Sequence, residues 1–360
     1  MFDKYKLIAV ALSGLFANLS TKEVSGLAGN TNLFHSNHNH IIGSNYDDRK
    51  VGMNRRDFTN LVASTAAGSM VSVPTSAVAD SKGGGIVTLP GGVEFPLASF
   101  GLQVYDDEKA YRLTMTALEV GYRNFFASVL AKNQKGFAKA VRDSGIPRSD
   151  LFICGSVVSN RAKGFKDAKT ATTEGWKQNM KAFGVGNIDY LDQIMLDYPG
   201  PDCESIQGQW AAFEEMHAQK LTKTLAVSNF SSKQLDCLLS SSSTSTPPVV
   251  NQLPFSVAYH PPALASDTVK SNADRGVLVQ AWAPLGYSLG GRFTSTMKGT
   301  CQQIGTKYGK SGAQVALRWI VQTGASFTTQ SSKKEHFAED LDIFDFTLSP
   351  EDMTTLNTLV

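Results

Sequence analysis

Strand-like and helix-like segments alternate along the chain from residue 86 to its end. Short apolar runs between turn residues are predicted as strands, and segments whose apolar positions recur three and four apart are predicted as helices. About eight strand–helix units occupy roughly 265 residues, the usual length of one (β/α)8 barrel. The sequence therefore predicts an α/β fold, a (β/α)8 TIM barrel with an N-terminal β-hairpin, and no internal domain boundary.

The predicted hairpin spans 86–102, with Pro90-Gly91-Gly92 at its turn. The predicted barrel strands are 124–127, 151–158, 193–196, 224–227, 249–252, 277–281 and 326–328. The predicted helices are 109–120, 132–144, 172–183, 205–219, 232–239, 264–274, 298–308, 314–322, 336–341 and 350–359. Because function in such barrels lies where strands end and loops begin, the candidate positions are Phe126, Ser156, Asp197, Ser228, Asn229, Gln252 and Trp282.

Composition narrows the class of partner. The chain has 34 Lys+Arg and 32 Asp+Glu, and this balance argues against nucleic acid because phosphate binding needs a basic excess. The four cysteines lie far apart without a CxxC pair, which argues against a zinc ribbon and a disulfide framework. No apolar run in the body of the chain is long enough for a membrane span. We expect no metal site.

Residues 1–79 are predicted to be a cleaved targeting region. Residues 1–20 combine early lysines with a short apolar run, as in a secretory signal; a buried first helix is the alternative. Residues 21–52 are polar and lack periodicity, so we expect disorder. The histidines of this stretch, His35, His38 and His40, fit a low-complexity polar tract better than a metal site.

Residues 53–79 resemble a twin-arginine export signal. Arg55-Arg56 precedes a mildly apolar stretch and then Ala77-Val78-Ala79, an A-x-A cleavage pattern. Two export-like signals in series resemble the targeting of proteins to the thylakoid lumen of complex plastids. The alternative is a bacterial-type exported protein that starts at Met53. In either case the mature chain is about 80–360, with balanced charges and no membrane span.

Several motifs within 86–360 resemble those of the aldo-keto reductases, in the order in which that family has them. They include Gly121-Tyr122-Arg123, the run 144–153, Ala226-Val227-Ser228-Asn229-Phe230, Val250-Asn251-Gln252, the run 281–286 (AWAPLG), the run 313–319 (AQVALRW) and the tail 344–353; no single one is decisive, and their order over the whole barrel is specific. The resemblance implies a barrel that uses NADP(H) to reduce carbonyl compounds.

The family's reaction uses a Tyr proton donor, a Lys that tunes its pKa, an Asp paired with the Lys, and a His that orients the substrate. In the ungapped match these four positions fall on Ala131, Ser156, Phe126 and Asp197, in that order. Shifting the match by one or two residues restores none of them, because 121–131 contains no Asp, 123–133 no Tyr and 150–160 no Lys. The resemblance thus implies that the catalytic tetrad is absent.

The expected cofactor residues are partly kept. The resemblance assigns cofactor contacts to seven residues: Ser228, Asn229, Gln252, Trp282, Leu285, Ser331 and Glu339. At the phosphate end, Gln330 and His336 replace a Lys and an Arg, and Asp340 replaces an Asn, which weakens attraction for phosphate. Lys333 and Lys334 supply the missing positive charge to the phosphate only if their loop shifts. NADP(H) binding is therefore expected to be weakened.

These observations leave three hypotheses. The preferred one is a catalytically dead or strongly divergent barrel that retains weak nicotinamide-nucleotide binding. The second is an active NAD(P)H-dependent carbonyl oxidoreductase in which Asp197 acts with Tyr198 or His260. A carboxylate at the barrel mouth can act as a base or hold a cation. The plainer interpretation of Asp197 is a solvated or hydrogen-bonded side chain in a pocket that has lost its function. The third is a structural partner in a luminal protein complex. For His260, capping or packing is the plainer interpretation.

Overall fold

The computed structural model describes residues 85–260, 265–286 and 293–359. The targeting region predicted for 1–79, with its histidine tract, lies outside the described residues. The strands are β1 (Ile86–Leu89), β2 (Val93–Pro96), β3 (Ala98–Gly101), β4 (Asn124–Ala127), β5 (Phe152–Val157), β6 (Leu191–Asp197), β7 (Thr222–Ser228), β8 (Val250–Pro254), β9 (Leu278–Trp282) and β10 (Ser326–Thr329). Strands β3 to β10 form a closed parallel barrel in chain order, with β10 paired to β3.

Helices follow the barrel strands. They are α1 (Asp107–Val120), α2 (Gln134–Ser144), α3 (Phe165–Phe183), α4 (Cys203–Ala218), α5 (Ser232–Leu239), α6 (Ala265–Ala273), α7 (Ser295–Tyr308), α8 (Gly312–Gln322), α9 (Lys334–Leu341) and α10 (Pro350–Asn357). Short polar residues begin many of them: the side chains of Asp106, Asp202, Ser231, Thr294, Ser311 and Ser349 each accept a hydrogen bond from a first-turn backbone N–H. The predicted (β/α)8 barrel is confirmed.

The hairpin β1–β2 closes one end of the barrel. Its turn uses Gly91 and Gly92, whose φ angles of 86° and 77° suit glycine. Leu89 and Phe95 pack in the same cluster as the barrel-interior side chains, and the Phe95 ring meets Phe152, the first residue of β5, edge-on at 4.9 Å. The hairpin therefore fills the end where strands begin and leaves the other end, where they finish, as the mouth of the barrel.

Two apolar layers follow from the alternation of side chains along each strand. Inward-facing residues form the barrel interior: Phe126, Phe152, Cys154, Met195, Ala226, Val250 and Leu278. Their outward-facing neighbours, such as Phe125, Ile153 and Leu196, pack beneath the helices in a second, larger cluster. This alternation fixes which residues at the strand ends point into the mouth.

Among the helices, the predicted and observed ends differ most at α3, which was predicted to begin at 172 but begins at Phe165. Between 165 and 171 only Ala168 is buried, so the first two turns carry no apolar periodicity. Their polar side chains face solvent, which is why the pattern of apolar residues failed to detect them.

A disulfide joins Cys203 to Cys237, which the wide spacing of the cysteines in the sequence did not predict. Cys203 opens α4 and Cys237 lies in α5, and these helices follow the neighbouring strands β6 and β7. The 34 residues that separate the two cysteines hide their proximity in the sequence. Cys154 and Cys301 are buried free thiols. None of the described helices is long and apolar enough to cross a membrane.

Candidate functional site

Six of the residues selected from the sequence are the inward-facing side chains nearest the mouth: Phe126, Ser156, Asp197, Ser228, Gln252 and Trp282. Phe126 is itself an interior residue of β4. Ser156, Asp197, Ser228 and Gln252 each lie two residues after an interior residue of their strand, and Trp282 lies four residues after Leu278. Register places Asp197 opposite Ser228, and Ser228 opposite Gln252. The barrel thus brings together residues that lie far apart in the sequence.

Asp197 is the buried acid of this group. It is 4% exposed. Burial raises the pKa of its carboxyl to about 6, while a hydrogen bond with the Ser228 hydroxyl acts to lower it. In the described chain, no Lys, Arg or His forms an ion pair with Asp197. A carboxyl in this setting carries a proton part of the time near neutral pH.

A chain of hydrogen bonds links Asp197 to an indole ring. The Asn229 Nδ2 donates to Ser228 Oγ at 2.6 Å, and Trp282 Nε1 donates to Asn229 Oδ1 at 3.2 Å. Deeper in the barrel, Gln252 Nε2 donates to Gln280 Oε1 at 2.8 Å. Sequence reasoning missed Gln280, although its position two residues after the interior Leu278 was a usable signal. The network holds Trp282 in a fixed orientation across the mouth.

Three of the strands that end at the mouth are followed by a residue in the left-handed region. The φ angles are 72° at Tyr198, 62° at Asn229 and 52° at Ala283. Asn tolerates this conformation, whereas Tyr and Ala do so at a cost in free energy. Backbone strain of this kind is maintained by the surrounding structure and is concentrated at functional sites in proteins.

The other three positions that the motif match assigns to the tetrad carry neither a charge nor an acidic group. Ser156 is fully buried, and its hydroxyl has no hydrogen-bond partner in the described chain. Phe126 contributes a buried ring. Ala131 lies half-buried in the loop between β4 and α2. A general acid with a tuned pKa needs an ionisable side chain, and none of these three residues has one.

The residues expected at the phosphate end lie in the loop after β10 and in α9. Ser331 is buried and its backbone oxygen accepts from the Tyr105 hydroxyl at 2.9 Å. Glu339 and His336 are exposed on α9, and Leu285 is exposed in the loop after β9. Lys334 forms an ion pair with Glu119 of α1. These residues share one end of the barrel, and this part of the site has little fixed positive charge.

Asp340 faces the protein interior, contrary to the expectation that it would add repulsion near a phosphate. It is 5% exposed and accepts a hydrogen bond from the Tyr122 hydroxyl at 3.4 Å. Burial raises the pKa of Asp340 to about 7, although hydrogen bonds with Thr329 and Tyr122 act to lower it. No sequence signal distinguishes this orientation, because exposed and buried faces of α9 both carry acidic residues.

His260 packs, as the plainer interpretation expected. Its Nδ1 lies 2.9 Å from Ser256 O and its Nε2 lies 3.1 Å from Asn357 O. Its ring also lies against Trp319, with 5.0 Å between centroids. Both ring nitrogens are thus engaged with backbone oxygens, and His260 joins the loop after β8 to the end of α10.

A model of one protein family matches most of the chain. The description of that model is Aldo/keto reductase family, and the match covers residues 95–360. This chain belongs to the aldo/keto reductase family. The match includes all the barrel strands and the whole mouth.

Individual relatives agree with this assignment. The chain is 32% identical over 276 residues to a glyoxal reductase of Bacillus subtilis, covering 76% of this chain and 92% of the relative. It is 31% identical over 277 residues to an aldo-keto reductase of Mycobacterium avium, covering 76% and 89%. A crystal structure of an aldo/keto reductase from Brucella melitensis matches with a TM-score of 0.66 and 28% identity, covering 76% of this chain and 99% of that one.

Aldo-keto reductases generally use NAD(P)H, and the fit of this site to a nicotinamide nucleotide depends on free amide groups at one end and positive charge at the other. At the nicotinamide end, the amide of Asn229 is bonded on both sides, to Ser228 and Trp282, and the Gln252 amide N–H is bonded to Gln280. At the phosphate end, Gln330 is neutral and Lys334 is paired with Glu119. The residues present do not fit tight binding of NADPH. No group of three or more His, Cys, Asp or Glu in the described ranges is placed to hold a metal ion.

Proposed function

We propose that this aldo-keto reductase barrel no longer performs the family's NAD(P)H-dependent carbonyl reduction and retains weak binding of nicotinamide nucleotides. The observation that carries the proposal is the Ser156 hydroxyl, buried and unpaired where the resemblance expects a lysine. Together with Ala131 and Phe126, it leaves the site without a tuned proton donor. We expect residual nucleotide binding because Ser228, Asn229, Gln252 and Trp282 are kept at positions that the resemblance assigns to the cofactor. We expect it to be weak because the amides of Asn229 and Gln252 are already hydrogen-bonded within the protein.

Tyr198, the tyrosine beside Asp197, does not replace the missing acid under this proposal. Burial, followed by the negative charge of Asp197, raises the pKa of Tyr198. A raised pKa makes the phenol a poorer proton donor, the reverse of what the family's lysine does for its tyrosine.

The test is a turnover assay with NADPH and with NADH, following nucleotide oxidation, on simple aldehydes and on glyoxal, the compound in the name of the Bacillus subtilis relative. We expect no turnover above that of a heat-unfolded control. The matched variant restores all four positions (Phe126→Asp, Ala131→Tyr, Ser156→Lys, Asp197→His). Because a positioned general acid contributes about 10²–10⁴-fold, this variant should exceed the unchanged protein by at least about a hundredfold. Turnover by the unchanged protein contradicts the proposal.

The second candidate function is carbonyl reduction with Asp197 as the proton donor. The observation in its favour is the buried carboxyl whose pKa is raised to about 6, since such a group is able to give up a proton near neutral pH. Its hydrogen bond with Ser228 would orient the carboxyl. If turnover is found, loss of activity in Asp197→Asn with the fold intact supports this candidate, and unchanged activity removes it.

We further propose that the mature chain, about 80–360, is exported, with the plastid thylakoid lumen as the destination, and that a luminal protein is a partner. The disulfide Cys203–Cys237 supports export, because such bonds persist in oxidising compartments and are rare in reducing ones. Fractionation of the source cells, with detection by an antibody to the barrel, tests this proposed location. Recovery of an uncleaved chain in the cytosol contradicts it.

A further inference from the structure

The mouth of the barrel contains one buried carboxylate with no cation beside it. Asp197 is 4% exposed, and its polar contact is the Ser228 hydroxyl. The other inward-facing residues at the strand ends are uncharged: Phe126, Ser156, Ser228, Gln252 and Trp282. A buried carboxylate is stabilised by an opposite charge with hydrogen-bond donors, and the described part of the chain supplies no such group there.

A second polar side chain, on the neighbouring strand, has no hydrogen-bond partner in the described chain. Ser156 is fully buried, and its Oγ makes no hydrogen bond within the described chain. It lies on β5, the strand next to β6, and pairs with Met195, which precedes Asp197 by two residues and faces inward as Asp197 does. An unpaired buried hydroxyl destabilises the fold until a ligand or water supplies its partner. Asp197 and Ser156 thus lie on neighbouring strands of the barrel interior.

An aromatic ring completes the site. Trp282 is half-buried at the end of β9, and its indole is tied to the carboxyl through Asn229 and Ser228. An aromatic face attracts a cation, and attracts it more strongly when water is excluded. Around this end of the barrel the exposed apolar side chains Leu130, Tyr259 and Leu285 lie in the loops after β4, β8 and β9. They offer contact for the hydrocarbon part of a ligand.

We propose that the barrel mouth binds a small organic ammonium compound with one positive charge and an apolar body. Its ammonium group donates to the Asp197 carboxylate and to Ser156 Oγ, and its carbon skeleton lies toward Trp282 and the exposed side chains of Leu130, Tyr259 and Leu285. This inference goes beyond the proposed function, since it requires neither carbonyl reduction nor a bound nucleotide. It gives the carboxylate the positive partner that the protein itself does not provide.

The test is calorimetric titration of the full chain with three compounds of one shape: benzylamine, benzyltrimethylammonium and benzyl alcohol. Benzylamine should bind at least about tenfold more tightly than the alcohol, which has no charge, and than the quaternary ion, which has no N–H donor. Equal affinity of benzylamine and either other compound overturns the proposal. Absence of benzylamine binding at millimolar concentration overturns it too.

Two variants test whether benzylamine binds at the barrel mouth. Asp197→Asn keeps the shape and removes the charge, and should weaken benzylamine about tenfold or more while leaving benzyl alcohol unchanged. Ser156→Ala should weaken benzylamine by a smaller factor. Asp274→Asn, which removes an exposed carboxylate paired with Lys270 after α6, is the matched control and should bind like the unchanged chain. Circular dichroism checks each fold, and wild-type affinity in a folded Asp197→Asn overturns the assignment.

Discussion

Replacing both Cys203 and Cys237 by serine should lower the free energy of unfolding by about 3–4 kcal/mol. The bond closes a segment whose ends are 34 residues apart, and a cross-link of this length restricts the unfolded chain far more than the folded one. The folded barrel keeps α4 and α5 in place by other contacts, such as the hydrogen bond from Gln207 Nε2 to the Cys237 backbone oxygen. Urea unfolding followed by circular dichroism measures the loss.

Reductant provides the matched control. Because Cys203 is exposed at the start of α4, dithiothreitol should reach the bond and lower the stability of the unchanged chain to that of the double variant. The double variant itself should not respond, since the free thiols of Cys154 and Cys301 are buried and unpaired in the described chain. Equal stability of the oxidised chain and the double variant contradicts the prediction.

Most of the barrel could be predicted from the sequence because seven of its strands carry their own signal; β3 (Ala98–Gly101) is the exception, since it was included in the predicted hairpin 86–102. The run Asn124–Ala127 is an apolar segment between turn residues, and the structure has a strand with those bounds. Helix α5 was likewise predicted with its observed bounds, Ser232–Leu239, where a capping box of Ser231 and Gln234 marks the start. Alternation along each strand then places residues such as Asp197 and Ser228 at the mouth.

What the sequence did not supply is the pairing of side chains across elements. The bond between Cys203 and Cys237 depends on two helices being neighbours around the barrel, and the orphaned hydroxyl of Ser156 depends on what surrounds it. Asp340 is the clearest case, because the motif match placed it near a phosphate whereas its carboxyl lies against Tyr122 and Thr329. Motif matching gives a position in the fold but not the direction or partners of a side chain.

The orientation of Asp340 leads to the second large effect: Asp340→Asn should stabilise the protein at pH 8 by roughly 4 kcal/mol. Burial raises the pKa of this carboxyl from 3.8 to about 7 in the folded state, and each unit of difference corresponds to about 1.4 kcal/mol. Between pH 4 and 7 the folded chain holds a proton that the unfolded chain has lost, so stability falls as the pH rises through this window. Asparagine carries no charge and is free of this penalty.

Measuring the stability difference between Asp340→Asn and the unchanged chain at two pH values separates the effect of the buried charge from that of side-chain packing. At pH 4 the Asp340 carboxyl is protonated in the folded chain and the two proteins should be equally stable, because Asn accepts from the Tyr122 hydroxyl as the carboxyl does.

The matched control is Asp352→Asn. Asp352 is also buried, but although burial acts to raise its pKa, hydrogen bonds from Lys307, Tyr308 and Ser349 lower it overall. That variant should therefore be less stable than the unchanged chain at pH 8, since it loses an ion pair with Lys307. Urea unfolding of all three proteins at pH 4 and pH 8 gives the comparison. A stabilisation by Asp340→Asn of the same size at both pH values would mean that packing, and not the buried charge, sets the stability at this position.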